Sequence, residues 1–211
     1  MKKIIQPKTI VVEIPEGESS YDYSVVGNGD LVLVFVAAGF HTASVYVRIR
    51  LQERFARAAI IGLVIGDKAS TITIRTLQEH VAPDTTSDLL IKTVLSDHAS
   101  CLYDGGIRVE RCAQKTDAYQ RNENMLLSGH AHAESKPSLE IFANDVRCTH
   151  GATVGPIPEE QLLYLSTRGI AHKNAQQLIV AGFLSHALEK ISDLAVKNLV
   201  SDKIMYLVGQ V

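Results

Sequence analysis

Hydrophobic and polar residues alternate along most of the first three quarters of the chain. In residues 44–51, Val45, Val47, Ile49 and Leu51 fall on one face of an extended strand while Tyr46, Arg48 and Arg50 fall on the other. Residues 71–76 and 107–110 repeat the pattern. These runs predict strands with one dry and one wet face. Turn signals separate them at Gly27-Asn28-Gly29-Asp30, Gly66-Asp67, Pro83-Asp84 and Asp104-Gly105-Gly106. From Thr9 to about Gly155 no helical period intervenes. A βαβ sheet, whose strands read as continuous apolar runs separated by helices, is therefore disfavoured. A sandwich, a barrel and a β-solenoid all fit, and no crisp internal repeat chooses among them.

The pattern changes after Gly155. Pro158 stands at a first helical position, and Glu159 and Glu160 follow where the helix dipole favours negative charge, which predicts a helix through Leu162, Leu163 and Leu165 that stops at Gly169. A second helix is predicted from about Asn174, with Leu184, Leu188, Ile191 and Ala195 on one face. A short apolar segment, 203–208, follows as a helix or a strand. The predicted organisation is a mainly β body over residues 1–155 and a small helical domain over 156–211.

Composition narrows the function classes. With 46% apolar and 21% charged residues the chain has the profile of a folded domain. Its net charge of -2 arises from 21 basic and 23 acidic residues with no long basic run, which argues against nucleic acid as principal partner. The longest apolar stretch, 31–40, is about half of the roughly 20 residues a membrane-spanning helix needs. Gln6, Pro7 and Lys8 interrupt any hydrophobic leader after Met1-Lys2-Lys3, so a cytoplasmic location is expected. Three cysteines, Cys101, Cys112 and Cys148, are too few and too irregularly spaced for a disulfide framework and suit a reducing compartment.

One long segment carries a resemblance. Pro137-Ser138-Leu139-Glu140-Ile141 continues through Asn144-Asp145-Val146-Arg147-Cys148-Thr149-His150-Gly151-Ala152-Thr153 to Glu160-Gln161-Leu162-Leu163-Tyr164-Leu165-Ser166-Thr167-Arg168-Gly169-Ile170. Upstream, His80-Val81-Ala82-Pro83 with Thr86-Ser87, Gln120-Arg121-Asn122 and Leu126-Leu127 belong to the same pattern. The segment resembles the carboxy-terminal core of the SufB/SufD family of iron–sulfur cluster assembly scaffolds, over about residues 79–183. The resemblance implies a right-handed parallel β-helix followed by a small helical domain. It further implies a non-catalytic scaffold subunit of the SUF machinery that pairs with a SufB-like or identical subunit, with a transient Fe–S cluster shared between them. A SufC-like ABC-type ATPase would bind through the helices. SufB-like members carry a cysteine where this chain has Leu165, which makes it SufD-like. No phosphate-binding loop is present, so ATP is expected on the partner.

The candidate ligands lie inside this segment. In a strand that contains Val146, alternation puts Cys148 and His150 on one face, with Cα atoms about 6.5–7 Å apart. Thiolate and imidazole are both donors for iron. His150 also occupies the position that the family resemblance associates with cluster formation. The competing reading makes Cys148 a small core residue with an inert thiol. Two donors do not complete a coordination sphere, so the others would come from sulfide or a partner. An alternative function is a structural interaction module without its own cluster.

Weaker candidates remain. His130 and His132 have the spacing of a strand metal pair but are also ordinary loop histidines. Cys101 and Cys112 are expected to pack, Glu140 to be solvated, and Gly151 to serve the turn into the helix. A carbohydrate-active hydrolase would need paired carboxylates, for which Asp84 and Asp88 are the nearest candidates.

Overall fold

A computed structural model describes residues 2–5 (backbone alone), 8–15, 17–39 and 41–210. Met1, Gln6 and Pro7, invoked above against a leader, and Phe40 lie outside the described residues. Among the described residues, twelve strands alternate between two six-stranded sheets, one ordered β1-β3-β5-β7-β9-β11 and the other β12-β10-β8-β6-β4-β2, with all pairs parallel. Each coil contributes one strand to each sheet, so the chain is a parallel β-helix, followed by helices. The coil period is visible in the register: Thr42 (β5, Thr42–Leu51) pairs with Thr71 (β7, Thr71–His80), Ser100 (β9, Ser100–Val109) and His132 (β11, His132–Ile141) in succession.

The alternation read from residues 44–51 is obeyed in β5. Val45, Val47, Ile49 and Leu51 are all fully buried in the interior, whereas Tyr46, Arg48 and Arg50 are half-buried on the outer face. There Arg48 and Arg50 both donate to Glu79 (2.8 and 2.9 Å).

The second sheet departs from the expectation of one wet face per strand. In β4 (Asp30–Ala38) Leu31, Leu33, Phe35 and Ala37 enter the solenoid core, while Val32, Val34 and Val36 on the opposite face belong to a second core with Ile61, Leu63, Leu90 and Val94. The helices supply the other half of that core. α2 (His172–Ser185) contributes Val180 and Leu184, and α3 (Leu194–Val208) contributes Val200, Ile204 and Val208. Removing Leu184 to alanine would cost roughly 2–5 kcal/mol, because the side chain is fully enclosed between helix and sheet.

The predicted continuous helix through Leu184, Leu188, Ile191 and Ala195 is broken. A 3₁₀ turn, His186–Lys190, follows α2, and Asp193 then caps α3 by accepting a hydrogen bond from Val196 N (2.9 Å). Leu184, Leu188 and Ile191 are buried but Ala195 is exposed. The first helix, α1 (Glu159–Thr167), ends as expected at Gly169 with φ of 80°, and none of its residues is buried.

Candidate functional site

β12 (Val146–Pro156) is the last strand of its sheet and pairs with β10 (Thr116–Leu126) on one side only among the described residues. β11 is likewise the last strand of the facing sheet. Together they rim one end of the solenoid with unpaired backbone edges, the natural template for strand addition.

Register fixes which side chains of β12 face inward. Val146, Cys148, His150, Ala152 and Val154 pair with Thr116, Ala118, Gln120, Asn122 and Asn124, all of which are buried in the interior. The inward face of β12 therefore continues the solenoid interior at a coil with no further coil beyond it among the described residues. His150, Ala152 and Val154 are exposed there, and Cys148 is half-buried. Cys148 and His150 do share one face, as alternation requires. Gly151 sits in mid-strand with open space around its Cα, so it does not serve the turn into α1.

The two donors differ in surroundings. Cys148 packs against the small cluster of Ile107, Val109, Ala113, Ala118 and Ala143. Burial, with the Asp117 carboxylate next in weight, pushes its thiol up from the ordinary range, which holds it in the protonated form. Asp117 is itself held low by the hydrogen bond from Arg147, its ion-pair partner on β12. No three His, Cys, Asp or Glu side chains converge among the described residues, so Cys148 and His150 are a pair of donors and not a complete site.

Beneath this open end lies a feature that the sequence did not reveal. The earlier coils have an aliphatic interior, but around β7, β9 and β10 it becomes polar. Tyr103 Oη and Thr76 Oγ1 are 2.9 Å apart, Gln78 Nε2 donates to Gln120 Oε1 (3.4 Å), and Gln120 Nε2 donates to Gly105 O (3.2 Å). Gly105 belongs to β9 and not to the turn expected at residues 104–106. A Cβ there would collide with the Tyr103 hydroxyl, so the glycine makes room for this polar tier. His80, fully buried, has Nδ1 and Nε2 each 2.8 Å from a hydroxyl, of Thr85 and Ser87. Burial drops its pKa to about 4, which keeps it neutral. The traces of the tier in the sequence are the runs Thr76-x-Gln78-x-His80 and Gln120-x-Asn122-x-Asn124, each with polar residues on one strand face.

Other candidates resolve plainly. Cys101 is buried, and its thiol is pushed up to about 12. Cys112 does not pack: it is exposed at a corner, with Sγ donating to Val81 O (3.1 Å). Glu140 is exposed, as expected. Asp84 sits at a corner with φ of 56°, bound to Arg54 (2.7 Å), and Asp88 is engaged by Lys190. The two carboxylates thus have separate partners.

A family model described as SUF system FeS cluster assembly, SufBD core domain, matches residues 20–183. The chain belongs to the SufBD family. The match begins well before the region whose motifs suggested it, at the third strand, and ends within α2. The chain is 42% identical over 130 residues to the iron-sulfur cluster assembly protein SufD of Escherichia coli K12, covering 62% of this chain and 31% of the relative. It is 31% identical over 139 residues to the SufBD family protein slr0076 of Synechocystis, covering 66% and 29%. It is 29% identical over 185 residues to the chloroplastic protein ABCI7 of Arabidopsis thaliana, covering 87% and 37%. The chain thus spans about a third of the length of these curated relatives. The description of the family model and the name of the Escherichia coli relative both refer to iron–sulfur cluster assembly. Among the described residues, no helix is long and apolar enough to cross a membrane.

Proposed function

We propose that this chain is a SufD-like, non-catalytic scaffold subunit that receives a nascent iron–sulfur cluster at the open end of its solenoid. His150 is the primary donor and Cys148 the second. The observation that carries this reading is the placement of both on the inward face of β12, an edge strand with one paired side among the described residues. A SufB-like or identical subunit, added along the free edges of β11 and β12, would bring the missing ligands and close the end. Because the cluster would then be shared, it is cargo held for transfer. The helical domain, residues 156–211, would engage a SufC-like ATPase. The exposed Leu163 and Tyr164 of α1 and Leu194, Leu199 and Tyr206 of α3 support a protein partner on that side.

The test is anaerobic reconstitution with iron and sulfide, alone and with a SufB-like partner, read by visible absorption. Cluster absorption that disappears in His150→Ala supports the proposal. No absorption with or without a partner sinks it.

One observation favours the second reading, a structural module without its own cluster: the partly buried Cys148 thiol is held protonated. In that case subunit association survives in His150→Ala and Cys148→Ala while no reconstituted preparation shows a cluster.

A further inference from the structure

Four of the eight histidines, His41, His98, His130 and His132, lie at or beside the corners that lead into β5, β9 and β11. The corner before β9 and the corner before β11 stack because those strands pair in register, Ser100 with His132. This stacking brings together two imidazoles that are far apart in sequence. The rings of His98 and His130 lie face to face, with centroids 4.7 Å apart and planes inclined by 21°. The ring partner of His130 is thus a residue one coil below, and not His132 two positions along the chain. Both histidines are exposed. Their backbones are pinned, His98 N donating to Lys68 O (2.7 Å) and His130 N to Ser128 Oγ (3.1 Å).

We infer that His98 and His130 form a two-imidazole site for a divalent transition-metal ion, separate from the donors of β12. Imidazole is the side chain preferred by zinc, copper and nickel ions. Two such ligands at about 2.0–2.1 Å from a metal need their nitrogens only about 3 Å apart. Rotation of the exposed rings about their Cβ–Cγ bonds, a soft torsion, supplies that approach from the stacked arrangement. The rigid corners fix the two Cα positions, so the second imidazole is already in place when the first binds. No third His, Cys, Asp or Glu joins them among the described residues, and the carboxylate of neighbouring Asp97 accepts from Lys68 N (2.9 Å). Water completes the coordination, which makes the site open and exchangeable. It is also remote from His150: Gln120, the register partner of His150, and Leu126, at the corner end of β10, are about 20 Å apart along the strand.

The test is calorimetric titration of the tag-free full chain with nickel chloride. His98→Ala and His130→Ala are each expected to weaken one equivalent of binding by about a hundredfold, since each removes a donor held at high effective concentration. His132→Ala and His150→Ala keep that equivalent. His98→Gln, which retains a polar side chain of similar reach, loses it as well and guards against a fold defect. Unchanged isotherms in His98→Ala or His130→Ala, or no nickel binding by the parent chain, overturn the inference. Loss in His132→Ala with retention in His98→Ala overturns it too.

Discussion

His150 lies directly over Gln120 in the parallel register of β12 and β10, the exposed imidazole of the last coil stacked on a buried amide of the coil below. Gln120 is fixed from two sides, by Gln78 Nε2 and by Gly105 O. The floor of the open end is therefore a polar shelf held by hydrogen bonds, whereas the deeper coils are filled with aliphatic side chains.

Replacing Gln120 by leucine takes away the acceptor of the buried Gln78 amide and one of two side-chain donors to the Gly105 carbonyl, which keeps Ser138 Oγ (3.3 Å). The expected cost is about 1–3 kcal/mol, the desolvation penalty of an orphaned buried polar group. Gly105→Ala is expected to destabilise by a similar amount, because its methyl group must displace Tyr103. Urea denaturation measures both. A Gly105→Ala variant as stable as the parent would show that the tier is loosely held.

His80 makes stability depend on pH. Its folded-state pKa of about 4 lies below the ordinary 6.5, so below pH 6.5 the unfolded chain takes up a proton that the folded chain refuses. The contribution is present in full above pH 6.5 and is lost as pH falls towards 4, a change of about 3 kcal/mol. Unfolding free energies measured between pH 7.5 and 4.5 should decline over this window. His80→Gln should flatten the decline, and an equal slope in the variant would assign the effect to other groups.

These buried features mark where the sequence stopped being informative. Alternation is enough to place Val45, Val47, Ile49 and Leu51, because one face of β5 meets the core and the other meets solvent. It fails for β4, whose second face is covered by helices more than a hundred residues away. It fails again for Gln120, Asn122 and Asn124, since inward polar residues look no different from solvated ones until the register is known. The corners hid the coil repeat: Phe55, Asp84 and Lys115 on one side and Lys68 and Asp97 on the other adopt positive φ without being glycine. The site was legible as a pair, Cys148 and His150 on one face, but the unpaired edge that exposes it is a property of the assembled solenoid.

The three thiols should react in an order set by burial and charge. Cys112 is exposed, Cys148 is half-buried with its thiol held protonated beside Asp117, and Cys101 is enclosed with its thiol raised to about 12. Alkylation of the native chain by iodoacetamide near pH 8, followed by peptide mass spectrometry, should modify Cys112 first, Cys148 slowly, and Cys101 only after unfolding. Fast modification of Cys148 would mean a freely ionising thiol, and would make it a stronger cluster ligand than its surroundings indicate.

The attachment of the helices to the solenoid rests in part on one ion pair whose cation is buried. Lys92, on the outer face of β8 (Thr86–Leu95), donates to Glu123 at 2.7 Å with only 4% of its side chain exposed, and its ammonium lies 4.0 Å from the ring centroid of Phe183 on α2. Lys92→Met removes the cation and leaves Glu123, which is largely covered, with only its longer ion pair to Arg121 (3.8 Å). The expected loss is roughly 3 kcal/mol, at the lower end for breaking a buried pair. Replacing both residues, as Lys92→Met with Glu123→Leu, should recover part of it, because the double variant no longer covers the Glu123 carboxylate, although Arg121 then loses its ion pair with Glu123. Hydrogen exchange should place the weakening in α2, with faster exchange there in the single variant than in the double. If the two variants are equally unstable, the cation over Phe183 and not the ion pair is what holds the helix to the sheet.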